Sequence, residues 1–123
     1  MARLWAGFAK PSGVLSLLQE IEQTQHLSIL IRDPQDAHHI VVTGPLSKDM
    51  GRYPFLDLVH QIRLHGIKKT QADRYLQILR RGGALVCIDK WNVATIKAVR
   101  ILDAQEIYVI GTRVGDQCAW ANE

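Results

Sequence analysis

The closing stretch Ala84-Leu85-Val86-Cys87-Ile88, the segment Asn92 to Asp103 and then Ile107-Tyr108-Val109-Ile110 decides the fold class. Five apolar residues in a row read as a buried strand. In the segment that follows, Ile96, Val99 and Leu102 recur at helical spacing opposite Lys97, Arg100 and Asp103, and Asn92 stands where a helix cap is expected. A second apolar strand closes the unit. Strand, helix, strand is therefore expected over the last third of the chain.

The same unit is expected at the start. Leu4 to Phe8 reads as a strand, and Pro11-Ser12 opens a helix in which Ser12 is placed to cap. Val14, Leu17, Leu18 and Ile21 form its apolar stripe, and Leu27-Ser28-Ile29-Leu30-Ile31 is the next strand. Between the two units lie a strand at His39 to Thr43, hairpinned to its predecessor through Asp33 to His38, and two helices. Phe55, Leu58, Val59 and Ile62 mark the first helix, which Gly66 ends. Ala72, Tyr75, Leu76 and Leu79 mark the second, with Thr70 and Asp73 as a variant capping box and Gly82-Gly83 as a left-handed stop.

Removing residues 39–81 leaves β-α-β followed by β-α-β, the split pattern of a ferredoxin-like α+β domain. The expectation is one domain over residues 1–111, with a helical-hairpin insert at about 39–81 between the second and third core strands, and a polar tail at 112–123. A length of 123 residues suits a single domain. The strands do not alternate apolar and polar, so both sheet faces need cover, either from the insert or from a second subunit.

The stretch Gly44-Pro45-Leu46, then His65-Gly66-Ile67, then Ala72, Tyr75 and Leu79-Arg80-Arg81-Gly82-Gly83-Ala84-Leu85-Val86 resembles the bacterial heat-induced general stress proteins, the YflT-like family. Ala104-Gln105-Glu106-Ile107 matches the style of that family's closing α-β unit. The chain lacks the glycine-rich apolar insert that its relatives carry before the Gly-Pro-Leu. The resemblance implies a stress-associated accessory role and carries over no catalytic residue.

The site chemistry read from the residues points the same way. No apolar run reaches the roughly 18 to 20 residues needed to cross a membrane, and the opening ten residues are too short for a signal-peptide core. A cytoplasmic location with reduced cysteines is expected, Cys87 buried and Cys118 in the tail. The histidines His26, His38, His39, His60 and His65 lack zinc-type spacing, so no metal and no cofactor is expected. Ser12, Ser16 and Ser47 lie in no nucleophile-elbow context, and Gly82-Gly83 leads into a strand where a phosphate cradle would lead into a helix. A non-enzymatic chain is expected.

Charge is the most uneven property. Residues 63–81 hold six basic side chains, Arg63, Lys68, Lys69, Arg74, Arg80 and Arg81, against Asp73 alone, so this segment is +5 and the rest of the chain −2 within a net charge of +3. These six are candidate contacts to an acidic protein or a polyanion, although a helix C-terminus itself favours Arg80 and Arg81. Trp5, Tyr108 and Trp120 are candidate docking aromatics. The functional expectation is an accessory module that docks to itself or to a larger protein. A nucleic-acid-binding regulatory domain using the basic segment ranks second, and a small-ligand sensor binding between sheet and insert ranks third.

Overall fold

A computed structural model describes residues 3–20, 26–48, 52–89, 91, 93–102 and 104–110. The chain is α+β, with one antiparallel sheet and four α-helices. In order these are β1 (Arg3–Phe8), α1 (Pro11–Glu20), β2 (Leu27–Arg32), β3 (His39–Thr43), a short 3-10 helix (Pro45–Lys48), β4 (Arg52–Pro54), α2 (Phe55–Leu64), α3 (Lys69–Arg80), β5 (Ala84–Ile88), α4 (Val93–Ile101) and β6 (Gln105–Ile110). The sheet order is β4-β3-β2-β5-β1-β6. Strand β5 lies between β2 and β1, pairing with β1 in the register Leu4 to Ile88 and Phe8 to Ala84, so the opening and closing units interlock within the sheet.

The uninterrupted apolar strands are explained by cover on both faces. Leu4, Ala6, Phe8, Leu27, Ala84, Val86 and Ile88 pack with Val14 and Leu17 of α1 and with Ile96, Ala98 and Val99 of α4. The alternate residues Trp5, Leu30, Leu85, Cys87 and Tyr108 pack with Leu58 and Ile62 of α2 and Tyr75, Leu76 and Leu79 of α3. The period-two pleat sorts each strand's side chains between two different helix pairs. Of the two covers expected for the second face, the chain supplies its own.

The expected β2–β3 hairpin forms, pairing Ile29 with Thr43 through Arg32 with Ile40, and the Asp33 N–H donates to the His39 carbonyl at 2.9 Å. The glycine stop after α3 is a complete Schellman arrangement. The Gly82 N–H donates to the Leu79 carbonyl at 3.0 Å, the Gly83 N–H to the Ile78 carbonyl at 2.9 Å, and Gly82 has φ +89°.

Details of the helix starts differ from expectation. Helix α1 begins at Pro11, so Ser12 lies inside it, because proline suits a first helical position where no N–H is needed. At α3, Gln71 takes the part expected of Asp73, its Oε1 accepting from the Lys68 N–H at 3.2 Å. Asp73 instead reaches back to Lys69 at 3.8 Å along the exposed face. The expected Asn92 cap lies outside the described residues. The 3-10 helix and β4 are additional to the expected elements; β4 is three residues long and ends in a proline, a poor sequence signal for a strand.

Candidate functional site

Helix α3 distributes the basic segment along its length. Lys68 and Lys69 stand at its N-terminal end and Arg80 and Arg81 at its C-terminal end, separated by about 16 Å at 1.5 Å per residue. All six basic side chains are exposed, but they form no single patch. Arg63 lies in the last turn of α2. Arg74 is engaged by Glu106 at 3.1 Å and Lys69 by Asp73 at 3.8 Å. The C-terminal carbonyl of α3 at Arg80 accepts from Arg32 Nη1 at 3.1 Å, which adds a third arginine to that end.

Two of the three expected docking aromatics are corrected. Trp5 is fully buried and Tyr108 is 7% exposed. Both lie under α3, because their odd-even register on β1 and β6 points them to the face that α2 and α3 cover. Neither is available to a partner. Trp120 lies outside the described residues.

These aromatics form a continuous stack. The Trp5 and Tyr75 rings are stacked with centroids 6.0 Å apart, and Tyr75 meets Tyr108 edge-on at 5.9 Å. Glu106 ties the stack to the sheet edge. Its carbonyl accepts from the Tyr75 hydroxyl at 2.5 Å, and its Oε1 accepts from the Tyr108 hydroxyl at 2.5 Å and from Arg74 Nη1 at 3.1 Å. This happens at a bulge, where Gly7 pairs with Gln105 and Trp5 with Tyr108, so two residues of β6 stand opposite one of β1. Glu106 has φ 51°, the one positive value at a non-glycine among the described residues. Sequence periodicity could not reveal Glu106 as a hub, because the bulge comes from strand registry.

Both phenol hydroxyls are bonded to Glu106, which makes the set a clamp between α3 and β6. Two expected results follow. Replacing Glu106 by glycine relieves the left-handed backbone while replacing it by alanine keeps it, so Glu106→Gly should be more stable than Glu106→Ala by about 1 kcal/mol in urea unfolding. Equal midpoints would mean that the φ carries no strain.

The second result concerns alkaline pH. Burial pushes the Tyr75 hydroxyl well above its ordinary value, reinforced by the charges of Tyr108 and Glu106. Burial and then the hydrogen bond to Glu106 raise Tyr108, with Arg74 partly opposing. Both phenols hold their protons more tightly in the folded chain than in the unfolded one. Their contribution is complete below the unfolded value of about 10 and is lost as pH rises through the folded values. The thermal midpoint should fall from about pH 10 upward, less steeply in Tyr75→Phe; identical slopes would remove Tyr75 from the explanation.

A second polar cluster sits at the opposite end of β1. The His65 ring, on the turn between α2 and α3, accepts through Nδ1 from Arg3 Nη1, and Arg3 Nε faces Asp89 Oδ1 at 3.4 Å. His65 also lies against Trp5, ring centroids 6.2 Å apart. Among the described residues, the buried side-chain atoms without a hydrogen-bond partner are Arg3 Nε, Trp5 Nε1 and Asp89 Oδ1. Arg3 and Trp5 are two apart on β1 and share a sheet face, and Asp89 continues the neighbouring strand on that face, two residues past Cys87. Of the cluster's members, Trp5, His65 and Asp89 stand out in the sequence, Asp89 only as a polar residue that follows a strand end. Burial pushes the Cys87 thiol far up, which makes it a packing residue with little thiolate.

Among the described residues no group of three or more His, Cys, Asp or Glu side chains could hold a metal ion, and no helix is long and apolar enough to cross a membrane. Comparison with known proteins returns no match to any protein-family model, curated protein or solved structure.

Proposed function

We propose that the chain is a non-enzymatic interaction module that docks an acidic protein surface through the outer face of α1 and α4. The observation that carries this reading is the distribution of exposed large apolar side chains. Of the four exposed large apolar side chains among the described residues, three lie here, Leu15 of α1 at 64% and Val93 and Ile101 of α4 at 53% and 77%; the fourth, Leu64, ends α2. The outer face of α3 is instead polar, with Lys69, Asp73, Arg74, Gln77 and Arg80 outward. The described part of α4 carries Lys97 and Arg100 among its outward apolar residues and no acid. Like charges would oppose two copies of α4 meeting across a two-fold axis, so charge selects a foreign acidic partner over self-association.

The sheet edges support the same choice. Strand β4 is short and ends in Pro54, and β6 carries the bulge at Glu106, both devices that blunt strand addition. A ferredoxin-like core with an insert running from β3 through α3 is part of the proposal, supported by the order β2-β5-β1-β6 in which the opening and closing units interlock. So are a cytoplasmic location and a stress-associated accessory role, which rest on the sequence and on the motifs shared with the stress family.

A photo-crosslinking residue at Leu15 or Ile101 should capture an acidic partner in cells, while the same residue at Gln77 should not, and Lys97→Glu should abolish the capture. Crosslinks that form equally from Gln77 would sink the reading. A salt-resistant dimer in light scattering would replace the foreign partner with a second copy.

A further inference from the structure

We propose that His65 is an acid-released latch over Trp5: the neutral imidazole closes the indole off from water, and protonation expels the His65 side chain and admits water. The geometry of one contact carries the inference. Arginine can only donate, so the contact from Arg3 Nη1 requires an unprotonated Nδ1 on His65. Protonation places an N–H on that nitrogen. A donor then faces a donor, and two positive charges meet. The Arg3 side chain is 27% exposed, so water screens this repulsion only in part.

The surrounding charges do not cancel it. From β1 the group facing His65 is Arg3, and from the end of β5 it is Asp89, whose single carboxylate charge is already engaged by Arg3 Nε at 3.4 Å. Cys87, opposite Trp5 in the strand register, keeps its proton because burial pushes its thiol far up. On the turn itself, the charged residues nearest in sequence are Arg63 and Lys68, two exposed cations. One carboxylate is thus set against the imidazolium, a guanidinium and two further cations at the rim.

The closed arrangement is poised to open. Folded proteins keep few buried polar atoms unpaired. Yet Trp5 Nε1 has no partner among the described residues, and Arg3 Nε and Asp89 Oδ1 meet as an ion pair without a hydrogen bond. Water entering past His65 would satisfy all three atoms, which offsets part of the cost of opening. The movement is local. Ile67 is 2% exposed and anchors the turn, and the His65 N–H is held by the Ile62 carbonyl at 2.9 Å, so the side chain moves while α2 and α3 stay. The latch uses none of the outer α1–α4 surface, so it stands or falls independently of the docking reading.

A folded chain that prefers the neutral ring must titrate His65 below the ordinary imidazole value of about 6.5. The latch is therefore shut above about pH 6.5 and opens as pH falls through the folded value. The test is hydrogen exchange of the Trp5 indole N–H in the full chain by NMR, the resonance being assigned by its loss in Trp5→Phe. Its protection should fall at least about tenfold from about pH 7.5 to about pH 5, since one unit of displacement is a factor of ten. The Val86 amide, in the middle of β5, should keep its protection. His65→Asn retains an acceptor for Arg3 that does not titrate, and should leave the indole protected at both pH values. A His65 ring resonance titrating at or above about 6.5 would overturn the proposal, and so would an equal loss of protection in His65→Asn. Parallel losses at Trp5 and Val86 would overturn it as well, because acid would then be unfolding the whole chain.

Discussion

Gly44→Ala should destabilise the chain by about 3 kcal/mol or more, the larger part from backbone overlap. Gly44 has φ +88°, and a Cβ there would lie 2.3 Å from the Leu27 carbonyl oxygen and 2.8 Å from the Ser28 Cα. Neither atom belongs to a flexible side chain, so relief requires shifting β2 itself. The turn is held against that strand by the Leu46 N–H bonded to Ser28 Oγ. Gly82 is the control. Its φ is +89°, but a Cβ would meet nothing within 4 Å, so Gly82→Ala should cost only the left-handed backbone, about 1–2 kcal/mol. Urea unfolding of both variants checks this. Equal losses would mean that Gly44 is chosen for its φ alone and that the close approach to β2 is tolerated.

Trp5→Ala should cost about 3–5 kcal/mol, the range of large aromatic truncations in a core. Trp5 is fully buried between the sheet and α3, stacked on Tyr75 and beside Cys87 in the cross-strand register. The cavity would open at the centre of one face, where residues from five different strands and helices α2 and α3 converge. Trp5→Phe separates packing from polarity. It removes an indole N–H that has no partner among the described residues, so the loss should be well below that of Trp5→Ala and should come from volume alone. A Trp5→Phe loss matching Trp5→Ala would mean that the N–H is paired in solution.

Much of the architecture was legible because it follows from local rules. Gly82-Gly83 ends α3 with the full hydrogen-bond pattern of a left-handed stop, and the turn between Asp33 and His38 closes its hairpin. Cys87 is buried, as expected inside an unbroken apolar strand. Even the absence of polar alternation was read correctly as a demand for cover on both faces. What supplied the cover was not legible, because apolar strand residues look the same under a neighbouring helix pair as under another subunit.

The candidate site residues were the least legible part. Trp5 and Tyr108 read as docking aromatics because a tryptophan or tyrosine in sequence carries no label for the face it will occupy. Strand register placed both under α3. The basic residues from Arg63 to Arg81 are contiguous in sequence, but a helix carries its ends apart, and Arg74 and Lys69 meet acids that lie 32 and 4 residues away. Arg3 drew no attention and Asp89 read as an ordinary polar residue of a strand-to-helix turn, and only the antiparallel β1–β5 pairing brings them together.

The sequence by itself determined the four α-helices, five of the six strands, their order and the apolar character of both sheet faces, since helix stops, turns and hydrophobic period act over a few neighbouring residues. Tertiary structure decided which helices cover which face, the bulge that turns Glu106 into a clamp, and the meeting of Arg3, Trp5, His65 and Asp89. Each of these depends on strand registry, which couples residues tens of positions apart through the geometry of the sheet.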